Sequence, residues 1–330
     1  MNEIFTKTYT LLEPDTYIYI AWGGFLVLTA LVVLLWRYSK RQWIKWATTA
    51  PLLFLWLVFL YGTYVGANEL KVRHIELTFE DLPEAFDGYK IVQFTDAHVG
   101  TMTGSRRALL ERAIDSINAQ NADMVAFTGD LQNKMPSEVE PVADLLKSIK
   151  AKDGVFSVIG NHDYPMYLKG DEYEKYDAMN ERVALDDKLG WQLLVNERHT
   201  IRRGKDRILI AGMDNDGDGK RFPQNGDIQE TLYGLKRNDF IVMLEHDPSS
   251  WRRNILKHSH TQLTLSGHTH GGQLSILGFS PASFKYHESY GLYNLGGRYL
   301  YVSSGLSGVV PFRFGIPAEI AVITLKKRSK

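Results

Sequence analysis

The polarity of the chain changes character near residue 70. Before it lie two long uncharged runs, residues 17–36 and 46–68, separated by a short basic stretch. Each is long enough to cross ~30 Å of hydrocarbon as a helix, and two in tandem fit a membrane anchor better than a buried core helix. Tyr17, Tyr19, Trp22, Trp36, Trp43, Trp46, Tyr61 and Tyr64 gather toward the run ends, where amphipathic rings prefer the interface. Pro51 is expected in the first turn of the second helix, where its missing N–H costs little. The pattern therefore predicts spans at about 17–36 and 46–67, an anchor over 1–68, and a folded unit over 69–330.

Past residue 70, strand-like and helix-like periodicities alternate. Residues 89–95 read as a buried strand. Leu109, Leu110, Ala113, Ile114 and Ile117 then recur at helical spacing, and 124–128 is the next strand. Val139, Val142, Leu145, Leu146 and Ile149 mark a second helical face before a strand at 155–159. Later strands are predicted at 240–244, 262–265, 299–303 and 319–325, with antiparallel pieces at 191–195, 200–202 and 207–210. A charged helix within 164–189 reads as an outer helix rather than a lid. The class is α/β, and ligands in such sheets bind at the carboxyl ends of the strands.

Five polar clusters close apolar runs at those ends: Asp96-Ala97-His98, Gly129-Asp130, Gly160-Asn161-His162-Asp163, Glu245-His246-Asp247 and Gly267-His268-Thr269-His270-Gly271-Gly272. Carboxylate, amide oxygen and imidazole are ligands for divalent cations, and a buried edge carrying so many would be costly without them. Asp96, His98, Asp130, Asn161, His246, His268 and His270 suffice for two ions, with Asp130 as the shared carboxylate. Two such ions ~3.5–4 Å apart lower the pKa of a water between them toward 7, the chemistry of phosphoester hydrolysis. His162 follows Asn161 directly, and two neighbours do not readily face one ion. His162 is thus expected as a proton donor or charge stabiliser, with Asp163 holding its imidazole in one tautomer. Manganese, zinc and iron all suit the donor set.

Charge and composition sharpen this reading. Lys+Arg and Asp+Glu both number 38, so no bulk field attracts nucleic acid, and none is expected as a partner. There are no cysteines, which excludes disulfides, thiolate metal sites and cysteine nucleophiles. The loop between the two apolar runs holds Arg37, Lys40, Arg41 and Lys45 and no acid, whereas Glu3, Lys7, Glu13 and Asp15 precede the first run as a net acidic tail, and Lys71 and Arg73 after the second run pull the other way. Positive-inside logic directs that loop to the cytoplasm and the folded unit outward.

In this order the five clusters resemble those of the calcineurin-like metallophosphoesterase superfamily, over roughly 71–325. Ser303-Ser304-Gly305-Leu306 and Pro317-Ala318-Glu319-Ile320 also resemble its bacterial membrane-associated branch. The resemblance implies a four-layer αββα sandwich, here preceded by two transmembrane helices. It also implies one metal site from Asp96, His98, Asp130 and His270, and another from Asp130, Asn161, His246 and His268. His162 and Asp163 match the family's catalytic histidine and its partner. A bilayer-tethered site favours a phosphodiester of a lipid-linked or envelope substrate. The alternatives are a UDP-diacylglucosamine-type pyrophosphohydrolase of lipid A synthesis, which belongs on the cytoplasmic face, and a non-catalytic scaffold, which would have lost ligands. Asp214-Asn215-Asp216-Gly217-Asp218-Gly219 imitates a calcium loop but has Asn225 at the twelfth position, so a solvated acidic loop is expected. Residues 276–279 and 309–312 are apolar, and ordinary packing explains them more readily than contact with acyl chains.

Overall fold

The computed structural model describes residues 3–219 and 221–328. A turn of helix, α1 (Glu3–Thr6), precedes the two long helices α2 (Pro14–Tyr38) and α3 (Gln42–Tyr64). Both long helices start before the uncharged runs, because Pro14 is a ready first residue and the polar stretch around Lys45 continues the helix. Pro51 consequently falls in the interior of α3, not in its first turn. The helices pack through rings, with Phe25 stacked on Phe59 at 4.7 Å and Trp22 against Trp56 at 5.1 Å. The Trp56 indole N–H donates to the Thr29 hydroxyl at 3.0 Å. Their outer faces, including Leu26, Val27, Leu53 and Leu57, meet no protein. Both are long and apolar enough to cross a membrane.

The folded unit follows as β1 (Leu70–Phe79), β2 (Lys90–Phe94), α4 (Arg107–Ala119), β3 (Met124–Phe127), α5 (Ala143–Lys147) and β4 (Val155–Ser157). Next come α6 (Glu172–Leu189), β5 (Gln192–Leu193), β6 (Glu197–Arg203), β7 (Asp206–Gly212), β8 (Ile241–Leu244) and β9 (Leu263–Ser266). Strands β10 (Gly291–Leu295), β11 (Arg298–Val302) and β12 (Ala318–Lys327) close the chain. They form two six-stranded sheets, ordered β1-β12-β2-β3-β4-β5 and β10-β11-β9-β8-β7-β6. Because side chains alternate along a strand, Ile91 and Met124 point toward the second sheet while Val92 and Val125 point toward helices. Ile91, Met124, Phe156, Ile210, Val242 and Leu265 fill the space between the sheets. Leu110, Ile114 and Ile117 of α4 with Leu185 and Leu189 of α6 cover one outer face, and Trp251 and Ile255 cover the other. This is the expected four-layer sandwich. The face marked by Val139 and Leu146 is not one continuous α-helix: Pro141 interrupts it, leaving a 3-10 stretch before α5.

Strand direction decides where the helical hairpin meets the sandwich. β1 runs parallel to β12, which runs antiparallel to β2, so β1 starts at the sheet edge where β2 ends. The chain therefore leaves α3 at the end of the sandwich that carries the polar clusters. Arg313 N–H donates to the Gly62 carbonyl at 2.9 Å, and the Phe312 ring lies so close that a Cβ on Gly62 would sit 2.2 Å from it. Tyr61 meets Phe314 edge to face at 5.6 Å. Ahead of α2, Tyr9 N–H donates to the Met166 carbonyl at 2.8 Å, and in its first turn Asp15 pairs with Arg106 at 2.9 Å. Both ends of the helical hairpin thus rest on the same end of the folded unit.

Candidate metal centre

Every expected ligand lies on a loop just past a strand: Asp96 and His98 after β2, Asp130 after β3, Asn161 after β4, His246 after β8, and His268 and His270 after β9. Five of them adopt positive φ, namely Asp96 (50°), His98 (39°), Asp130 (59°), His268 (68°) and His270 (51°). Left-handed backbone at a non-glycine residue costs on the order of 1–3 kcal/mol, so this concentration marks a site where geometry is held against local preference. Gly129, at φ 94°, lets the β3 loop pass under His246; a Cβ there would lie 2.7 Å from the imidazole Nδ1.

The loops bring three ligand groups together, each with its donor atoms within 4.8 Å of one another: Asp96, His98 and His270; Asp96, Asp130 and His246; and His98, Asp130 and His162. Asn161 joins through His268, whose Nδ1 lies 2.7 Å from its Oδ1. The hydrogen bonds set the tautomers. Nδ1 of His246 faces the Thr128 carbonyl at 2.7 Å, and Nδ1 of His270 faces the Ser307 carbonyl at 2.9 Å. A carbonyl only accepts, so each Nδ1 carries a proton and each ring, when neutral, turns an Nε2 lone pair inward. Those lone pairs meet carboxylate oxygens: His246 Nε2 is 3.2 Å from Asp130 and His270 Nε2 is 3.5 Å from Asp96. Neither ring nitrogen of His98 has a hydrogen-bond partner, although the side chain is fully buried. Acceptors facing acceptors in a buried cluster need a cation between them, and the residues fit divalent metal on that ground.

Electrostatics point the same way. Burial pushes the Asp96 carboxyl up to about 7, the His98 imidazole down to about 3 and the His268 imidazole down to about 4. Burial also works against the charged form of Asp130, but His246, His162 and His98 outweigh it and hold the carboxyl well below its usual range. His246 is correspondingly pushed up to about 10, the Asp130 carboxylate outweighing its burial, so with no metal its Nε2 holds a proton that a bound divalent ion would displace.

The structure corrects the pairing expected for His162 and Asp163. His162 Nδ1 lies 2.8 Å from the Asn133 carbonyl, not against Asp163, and its ring stacks on Tyr167 at 4.5 Å. The Asp163 carboxylate instead accepts the backbone N–H groups of Asp130 (2.9 Å), Leu131 (3.0 Å) and Gly160 (2.9 Å), and the Arg182 guanidinium at 2.8 Å. On the loop six residues past the end of β4, a carboxylate reaches neighbouring loop amides more easily than the ring beside it. Asp163 therefore acts as a brace that ties the Asp130 loop to the Asn161 loop. His162 also lies within ligand distance of His98 and Asp130, closer than its expected role required.

Several supporting groups left little trace in the sequence. Arg182 and Asp186 pair one turn apart inside α6 with both side chains fully buried, a spacing the sequence does show. Arg313 is buried and donates to the carbonyls of Ser304 (2.8 Å), Gly305 (3.2 Å) and Ser307 (2.6 Å), fixing the loop that orients His270. Tyr286 lies 2.8 Å from His268 Nε2. In the loop from Asp214 to Gly219 only Asp218 and Gly219 are exposed as expected, whereas Asp214 accepts from Tyr164 at 2.7 Å, and Asp216 accepts from Ser250 (2.7 Å) and Asn254 (3.0 Å). Those carboxylates are committed to protein donors.

Two packed sheets with carboxylates and imidazoles at their strand ends define a metal-dependent phosphoester hydrolase. The chain belongs to the calcineurin-like phosphoesterase family, whose model matches residues 89–272. It is 30% identical over 292 residues to a transmembrane protein with metallophosphoesterase domain from Danio rerio, covering 85% of this chain and 63% of that protein. An uncharacterized metallophosphoesterase, YkuE of Bacillus subtilis (strain 168), is 30% identical over 301 residues, which is 88% of this chain and 98% of that protein. The solved phosphopantetheinyl hydrolase PptH from Mycobacterium tuberculosis aligns over 68% of this chain and 91% of its own, with 14% identity and a TM-score of 0.42.

Proposed function

We propose that the chain is a membrane-anchored phosphoesterase that holds two divalent ions and cleaves a phosphodiester of a lipid-linked or envelope substrate. The observation that carries this reading is the direction of β1: the helical hairpin joins the sandwich at the end where the ligand loops gather. A substrate lying in or on the bilayer then meets the site without leaving the surface. Bound ions would polarise the phosphoryl group and lower the pKa of a nucleophilic water. The chain's own residues do the rest. Asp96, His98, Asp130 and His270 form one ligand set, and Asp130, Asn161, His246 and His268 the other. His162, with Nδ1 committed to Asn133, presents Nε2 to the cluster and can give a proton to the leaving oxygen.

The basic loop between the helices favours a folded unit on the outer face. The test is activity of the full chain in lipid vesicles, with manganese, zinc or iron(II) supplied in turn. Soluble aryl phosphomonoester, aryl phosphodiester and phospholipid diester are the substrates. Faster turnover of diesters, and of lipid over soluble diester, is expected. Monoester preference with no gain on lipid refutes the substrate class. A reporter fused after Lys330 that works only in the cytoplasm would refute the outward placement and favour the nucleotide-lipid pyrophosphohydrolase.

A further inference from the structure

The loop that follows the His270 turn ends in an apolar tip that no part of the protein covers. Residues 271–284 carry no charge. Leu277 is fully exposed, Phe284 is 83% exposed and Phe279 53% exposed. Phe279 and Phe284 meet edge to face at 5.3 Å, so the tip is one patch rather than scattered side chains. Its base is rigid. Ser275 N–H donates to the Phe314 carbonyl at 2.7 Å, and the Ser280 hydroxyl donates to the Gly271 carbonyl at 2.6 Å. Ile276 and Phe279 exchange hydrogen bonds of 3.0 Å across a two-residue turn, Leu277-Gly278, with both φ positive (53° and 83°). Such turns favour Asn-Gly or Gly-Gly. A branched leucine held in left-handed backbone and surrounded by water contributes nothing to the fold, which makes its side chain itself the feature to explain.

Neighbouring contacts identify what covers it. The strand partner of this loop, Phe314, packs on Tyr61, and the adjoining Phe312 packs on Gly62, both in the last turn of α3. The base of the loop therefore sits beside the last turn of α3, and its uncovered apolar tip projects from there. We propose that the 276–284 loop inserts its tip into the leaflet from which α3 emerges, making a third contact with the bilayer and setting the mouth of the metal centre against the lipid surface. The occupant of the patch is the acyl region of that leaflet. This rests on the membrane-anchored reading above.

Because the chain has no cysteine, single cysteines can be labelled cleanly in the full-length protein. An environment-sensitive fluorophore is attached at Leu277→Cys, at Leu26→Cys inside α2, and at Lys205→Cys in the exposed β6–β7 turn at the opposite end of the sandwich. Each protein is placed in phosphatidylcholine–phosphatidylglycerol nanodiscs, one copy per disc, with and without nitroxide on the acyl chains. The expected result is blue-shifted emission at Leu277→Cys and quenching by nitroxide several-fold stronger than at Lys205→Cys. Equal, weak quenching at these two positions, with Leu26→Cys quenched, overturns the loop contact while leaving the anchor in place. A blue shift that needs two copies per disc and ignores the nitroxide overturns it in favour of self-association. An unquenched Leu26→Cys overturns the anchor itself, and the loop contact with it.

Discussion

Replacing Arg182 by Met tests how the metal-centre loops are held, at a position away from the ligands themselves. The guanidinium lies between Asp163 and Asp186, and all three side chains are fully buried. Its removal leaves two carboxylates without a counter-charge, and breaking a buried pair in this way costs ~3–5 kcal/mol. Two features draw the expected value to the low end. Asp163 keeps its four backbone donors, and Asp186 keeps the Ser157 hydroxyl. Burial already pushes the Asp186 carboxyl up despite Arg182, so without the guanidinium it takes a proton rather than remaining a bare charge. A loss of ~3 kcal/mol lowers the melting temperature of a domain this size by roughly 6–12 °C. The assay is thermal unfolding of the full chain in nanodiscs, followed by near-ultraviolet circular dichroism. The double variant Arg182→Met with Asp186→Leu replaces the outer pair by apolar volume and should recover part of the loss, a coupling of ~1–2 kcal/mol. An Arg182→Met protein melting within ~2 °C of wild type would refute the claim that this ion-pair network holds the loops.

Three further outcomes follow from the same geometry. Asp130→Ala should lower bound metal as well as rate, because Asp130 faces both His98 and His246; elemental analysis finding two tightly held ions in the variant would rule out the shared carboxylate. His162→Ala should keep its metal yet turn over ~10²–10⁴ more slowly, with a smaller loss for substrates bearing good leaving groups, so an equal loss across leaving-group pKa values would exclude proton donation. At Asp123, burial is outweighed by the Lys90 N–H and by Lys152 and Arg203, which hold the carboxyl below its usual value. Its contribution is therefore fully present above the unfolded value of about 3.9 and is lost as pH falls through the lower folded one. Asp123→Asn should melt below wild type at pH 7 and converge with it as pH falls through the lowered folded value; a gap that stays constant with pH would contradict the assignment.

What the sequence by itself determined was whatever is periodic or local. Two uncharged runs announced the long helices, and helical spacing from Leu109 to Ile117 announced α4. Polar clusters closing apolar strands announced the residues that the strand ends gather into candidate ligand groups, because ligand chemistry at a strand end is written in adjacent positions. What only the tertiary structure decided depends on groups distant in the chain. Asp163 was legible as a site residue but not as a brace, since its partners are backbone amides and an arginine on another helix. The Asn133 carbonyl that orients His162 carries no side-chain signature at all. The acidic loop at Asp214 looked solvated because its donors, Tyr164, Ser250 and Asn254, come from elsewhere in the chain. Apolar residues 276–279 read as ordinary packing, since hydrophobicity says that a side chain prefers to leave water but not whether the fold supplies a place for it. The direction of β1, set by its pairing with β12 at the far end of the chain, brought the helical hairpin to the end of the sandwich that carries the ligand loops.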